Sequence, residues 1–192
     1  MKSNKSKLFG WVLPLMVAVV VVLAAWHYVH GRIYGVGGDS MSPALVRGQK
    51  VWVEYGGTLR HNDIVLIANP FETSNAHSAP VFKRCLCMPG DSVTRLQAMH
   101  IYGPAVVPSR GMTVSLDYAN YMKYKDLAMR YEDAVMEWRD SICTVNGNAA
   151  RSYTFRFDYV FVINDNRADH SDSRAFGPVP KDCVVAKIKF VF

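Results

Sequence analysis

Between Leu8 and Val29 the chain reads LFGWVLPLMVAVVVVLAAWHYV, 22 residues without an Asp, Glu, Lys or Arg. As a helix rising ~1.5 Å per residue this run is about 33 Å long, enough to cross the hydrocarbon core of a bilayer. Trp11 lies near one end and Trp26 with Tyr28 near the other, where interfacial aromatics belong. Lys2, Lys5 and Lys7 precede the run and predict a cytoplasmic N-terminus. Residues 1–7 are thus expected inside, 8–29 as a transmembrane anchor, and 30–192 as a domain on the outer side. A cleaved signal peptide shares the lysines and the apolar core, but its apolar region is usually only ~7–15 residues. Pro14 weakens a membrane helix without forbidding it.

The remaining length suits one domain with a core of its own and leaves no room for a second. Of the 22 Lys and Arg, three precede the apolar run, leaving 19 against 16 Asp and Glu in the outer domain. That small excess, with no basic stripe interleaved with aromatics, argues against nucleic acid as a partner. Cys85, Cys87, Cys143 and Cys183 all fall in the outer domain, where an oxidising compartment permits disulfides. Cys85 and Cys87 alternate along one strand, so a bond between them would be strained. A Cys143–Cys183 bridge stays open, although buried small hydrophobes is the simpler reading. Neither the cysteines nor the histidines at 27, 30, 61, 77, 100 and 170 show metal-ligand spacing, and no metal or cofactor is expected.

Beyond the anchor, β-branched and aromatic runs recur between Gly, Pro, Asn and Asp clusters. They are Lys50–Glu54, Ile64–Ile67, Val81–Cys87, Tyr153–Phe157, Tyr159–Ile163 and Val184–Phe192. The pattern predicts a mainly β, barrel-type domain. Within Tyr118–Trp138, Tyr121, Ala128, Val135 and Trp138 recur at helical spacing behind Asp117, a suitable N-cap. One inserted helix is therefore expected, inside an insertion near 104–150.

Three stretches could carry chemistry. In GGDSMSPALVRG, Gly37 to Gly48, Gly37 and Gly38 permit positive φ or close backbone approach and Pro43 fixes the exit, so the turn can present the Ser40 hydroxyl in a set direction. A serine in such a turn is more often only a turn residue. In FKRCLCMPGD, strand alternation puts Lys83 on the same face as Val81 and Cys85. Burying an ammonium on an apolar face costs several kcal/mol unless it is paired or neutral. A lysine so neutralised could take a proton from Ser40, the requirement of a serine hydrolase that lacks a triad. The alternative is that Lys83 faces water and Arg84 is the buried or paired residue. The third stretch, NDNRADHSDSRAFGPVP, gathers Asp165, Arg167, Asp169, Asp172 and Arg174 just after a hydrophobic strand. It reads either as a solvated loop or as a salt-bridged scaffold that Arg84 could join.

Together the anchor, SMSP with Leu45, NDIVLI, KR…PGD and DNR…DSR…G-VP resemble, in order, the type I signal peptidases, membrane-anchored serine proteases of family S26. The Tyr153–Ile163 stretch and the insertion are similar to small single-anchor members of the Bacteroides type. The resemblance implies the β fold shared with LexA-type repressors, with Ser40 as nucleophile, Lys83 as general base and the Ser40 backbone N–H in the oxyanion hole. It implies removal of signal peptides from exported precursors, with small residues at the first and third positions before the cut. The implied partners are those precursors and the lipid bilayer, with the secretion translocon a further candidate. The implied location is the inner membrane, single-pass, with the catalytic domain on the periplasmic side.

Three positions depart from the family pattern. Gly38 stands where many members carry a hydroxyl that completes the oxyanion hole. Asn164 replaces a glycine beside the dyad, where its bulk is expected to narrow the approach. Where a Ser or Thr usually orients the lysine, His170 falls in register with Ser171 one step on, leaving two candidates for that role. Arg84, Asp165, Arg167, Asp172 and Arg174 are expected as scaffold. The departures also leave open an inert, membrane-anchored β-module that binds export partners, and a specialised peptidase of the same fold acting on one client.

Overall fold

The computed structural model of the chain describes residues 4–68, 79–93 and 105–192. It begins with a helix, α1, Asn4–His30, whose described side chains from Val12 to Leu23 and at Trp26 are exposed. Taking only residues whose side chains are described, which in α1 are 12–23, 25 and 26, no helix is long and apolar enough to cross a membrane.

The strand β1, Gly31–Gly35, follows α1 without a linker and pairs antiparallel with β2, Lys50–Tyr55. Gly31 is needed at this junction, because a Cβ there would come within 2.5 Å of both the Trp52 ring and the Val53 carbonyl. The remaining strands are β3 (Ile64–Ile67), β4 (Val81–Cys87), β5 (Ser92–Val93), β6 (Ala105–Val106), β7 (Thr113–Ser115), β8 (Met136–Arg139), β9 (Ile142–Val145), β10 (Asn148–Ala149), β11 (Ser152–Thr154), β12 (Tyr159–Ile163), β13 (Val179–Pro180) and β14 (Val184–Val191). Seven form the main sheet in the order β1-β2-β14-β3-β4-β12-β13, with every pairing antiparallel. The sheet is open. Among the described residues nothing pairs β1 with β13, so the expected barrel is not closed.

The main sheet is built around central strands buried on both faces. All five residues of β12 are buried, and β3 keeps only Ile64 partly exposed. Val36, Met41, Leu45, Val51, Val53, Leu66, Phe82 and Ala186 make one core cluster, which locks the serine-bearing turn onto the sheet. A second contains Val65, Ile67, Cys85, Val160, Val162 and Val179, and a third gathers Cys87, Tyr124, Phe155, Tyr159 and Phe161. Cys85 and Cys87 therefore enter different clusters, beside a register irregularity between Phe161 and Val162. All four cysteines are free. Burial first, with nearby carboxylates adding to it, raises the Cys85 thiol to about 12 and that of Cys87 to about 11.

The helix of the insertion, α2, is Tyr118–Glu132. Asp117 caps it, accepting from the Asn120 N–H at 2.8 Å. The helix stops earlier than expected because Asp133 takes a left-handed φ of 51°. Val135 lies beyond the helix and Trp138 belongs to β8, which pairs with β9 in a three-stranded sheet with β10. Glu132 docks the end of α2 against the domain: Tyr153 and Tyr159 donate to its carboxylate at 2.5 and 2.8 Å, and the Arg156 N–H adds contacts at 3.1 and 3.2 Å. That last bond turns Arg156 out of the β ladder, so the expected strand Tyr153–Phe157 is shortened to Ser152–Thr154.

Candidate active site

Lys83 sits mid-strand in β4 opposite Val65 of β3. Only 3 % of it is exposed. Its Nζ donates to Oδ1 of Asn164 at 2.6 Å and to the main-chain carbonyl of Ser171 at 2.7 Å. Burial holds the amine below the ordinary lysine range; Asp169 and Asp172 pull it back upward and Arg174 pushes it further down. Arg84, one residue on, points elsewhere: its Nε and Nη2 grip the Asp165 carboxylate at 2.6 and 2.5 Å, and Nη1 reaches the Asn62 carbonyl at 2.7 Å.

The partners of Lys83 come from the segment that follows β12. A buried ion pair fixes this segment, with Arg174 Nε and Nη2 donating to Asp172 at 2.7–3.0 Å. Asp172 also caps the short helix α3, Ser173–Phe176, through the Arg174 N–H, and accepts from the Asn164 N–H at 2.7 Å. Arg174 Nη1 donates to the carbonyl of Arg167 at 2.9 Å, and Nη2 donates to that of Asp169 as well as to Asp172. Arg167 thus contributes its backbone, while its side chain is on the exposed part of the loop.

Ser40 lies in the turn between β1 and β2, followed by a cis Ser42–Pro43 peptide bond. Neither Gly37 nor Gly38 has a positive φ, and a Cβ on either would meet nothing within 4 Å. These glycines therefore keep space open rather than permit a special conformation. Together with Gly35, Val36, Ser40, Met41 and residues 79–82, they line a cleft of about 260 Å³. The Ser40 carbonyl accepts from the Asn166 N–H at 3.0 Å, and Asn166 Nδ2 reaches the Asp39 carbonyl at 3.4 Å. The segment that grips Lys83 therefore also grips the Ser40 turn. Among the described residues no hydrogen bond joins Ser40 directly to Lys83.

The lysine's partners are neither the His170 ring nor the Ser171 hydroxyl. His170 is exposed and offers its carbonyl to the Asp172 N–H. The Ser171 hydroxyl donates to Asp169 at 2.6 Å, and only its carbonyl meets Lys83. Asn164, expected merely to add bulk, is fully buried and supplies the other acceptor. A polar residue directly after an apolar strand was the one signal in the sequence that could have marked it.

The domain is thus mainly β, with a buried lysine and a cleft-lining serine tied to one segment. The chain belongs to the signal peptidase family, peptidase S26, whose family model matches residues 8–192. It is similar to signal peptidase IB of Staphylococcus aureus strain Mu50, 28 % identical over 194 residues that cover 98 % of this chain and 91 % of the relative. The corresponding protein of strain COL is 27 % identical over the same shares of both chains.

Proposed function

We propose that the protein removes signal peptides from exported precursors with Ser40 as nucleophile and Lys83 as its general base, held at the membrane by α1 as a single-pass anchor. The observation that carries this reading is that one segment holds both the buried Lys83 amine and the backbone of Ser40. On this reading the N-terminus is cytoplasmic and residues 30–192 work on the outer face of the inner membrane, where a precursor's cleavage site emerges. Placing Ser40 eleven residues past Val29 keeps the nucleophile near the lipid surface.

A neutral lysine suits the task. Its lone pair accepts the Ser40 proton as Oγ attacks the scissile carbonyl carbon, giving a tetrahedral oxyanion and an ammonium. Collapse breaks the C–N bond, and Lys83 returns the proton to the leaving amine, which departs as the new N-terminus. Lys83 then takes a proton from water, whose oxygen attacks the ester and frees the signal peptide and Ser40. The Ser40 N–H makes no hydrogen bond among the described residues, which supports its use toward the oxyanion. The glycine-lined cleft beside Ser40 suits small side chains ahead of the cut.

The test is cleavage of a precursor bearing a small-x-small site by the detergent-solubilised full chain, beside Ser40→Ala and Lys83→Ala. Cleavage lost in both variants is expected. A folded wild type that leaves the precursor intact would instead favour the inert β-module.

A further inference from the structure

A neutral lysine amine has four directions around nitrogen: one to Cε, two N–H bonds and one lone pair. In Lys83 the two acceptors found are both uncharged carbonyls, Asn164 Oδ1 at 2.6 Å and Ser171 O at 2.7 Å. The amide orientation of Asn164 follows from its other bonds, since Nδ2 donates to the Asp169 carbonyl at 3.2 Å and to Ser171 Oγ at 3.3 Å. Its main chain is fixed as well, through the N–H bonded to Asp172. The carbonyl that meets Lys83 is thus held from three sides in a residue with no exposure.

We propose that Asn164 is the positioning residue for Lys83: its side-chain carbonyl, with the Ser171 main-chain carbonyl, takes both amine hydrogens and leaves the lone pair aimed at the Ser40 hydroxyl. This rests on the Ser40–Lys83 reading above. An amide accepts these hydrogens without adding charge, so it orients the amine without locking it as an ammonium, as a carboxylate in the same place would. Among the described residues the charged groups that act on Lys83 are Asp169, Asp172 and Arg174, all from the 164–176 segment. Its cross-strand neighbour on β3, Val65, is apolar.

Two substitutions in the full chain separate positioning from mere packing. Asn164→Asp is nearly isosteric and puts a carboxylate on the amine; the acid limb of the kcat/KM profile is expected to move up by about 1–3 pH units. Asn164→Gly removes one acceptor while sparing the N–H bonded to Asp172. It should lower kcat about tenfold to a hundredfold with KM little changed, and move the acid limb down, because an ammonium loses more than an amine when an acceptor goes. A purely structural asparagine would not give opposite shifts. If Asn164→Asp loses its cooperative melt, Asn164→Gly carries the test alone. Folded Asn164 variants with the wild-type kcat and acid limb overturn the proposal when Ser40→Ala and Lys83→Ala are inactive. If those two still cleave, the Ser40–Lys83 reading itself has failed and positioning falls with it.

Discussion

The N–H of Asn166 donates to the carbonyl of Ser40 across 3.0 Å, joining residues 126 positions apart in sequence. This bond closes the site from the serine side as the Lys83 bonds close it from the strand side. Ser40 is seated on one core cluster through Val36, Met41 and Leu45, while the Asn166 segment depends on the Asp172–Arg174 pair. The relative placement of Ser40 and Lys83, the proposed nucleophile and base, is therefore set by a charged scaffold.

The charge of Asp169 bears directly on the lysine. Burial pushes its carboxyl up, but the Ser171 hydroxyl and N–H, Lys83 and Arg174 outweigh this and hold it below the usual range. Its contribution to stability is present above the unfolded value of ~3.9 and is lost as pH falls through the lower folded value. Lys83 has the opposite sense: with its folded value depressed, the fold is penalised at neutral pH, and the penalty fades as pH rises toward 10.5. Asp169→Asn is expected to move the acid limb of kcat/KM to lower pH by about half a unit or more. It should also lower the melting temperature at pH 7, with the difference shrinking as pH falls through the lowered carboxyl value. An acid limb unmoved in the variant would show that Asp169 does not act on Lys83.

Asp172→Ala strips a buried carboxylate from five donor contacts and breaks its ion pair with Arg174, which is 4 % exposed. Breaking a buried pair from one side costs about 3–5 kcal/mol. For a chain of this size that lowers Tm by about 6–20 °C. Cleavage should fall with it, because the Asn164 N–H loses its acceptor. Melting and cleavage unchanged from wild type would mean that the segment is held by other contacts.

The strands Ile64–Ile67, Val81–Cys87 and Tyr159–Ile163 were legible to the residue because each is a dense β-branched or aromatic run flanked by turn formers. The end of α2 was not, since Val135 and Trp138 continue the helical spacing by coincidence past a left-handed Asp133 that no hydrophobic pattern announces. Strand β1 escaped notice because GRIYG has glycine at both ends and follows directly on α1. Ser40 and Lys83 stood out by residue type. The partners of Lys83 did not: a main-chain carbonyl such as that of Ser171 has no residue signature, and Asn164 lies 81 positions from the amine it meets.

Gly38 gives the last prediction. An oxyanion held by the Ser40 N–H alone has one donor, and losing one donor from such a hole typically costs about 10²–10³ in kcat. A Cβ built on Gly38 meets nothing within 4 Å, and its φ is not left-handed, so a side chain can be added there without displacing its neighbours or straining the backbone. Gly38 lies two residues before Ser40 on the wall of the same cleft. Gly38→Ser therefore brings a hydroxyl to the edge of the cleft and should raise kcat about tenfold or more on a small-x-small precursor, with melting unchanged. Gly38→Ala, which adds bulk without a donor, should give no gain. Single-turnover cleavage by the two variants reads this directly. Equal rates in both would mean that the added hydroxyl does not reach the oxyanion or that another group already occupies the second donor's place.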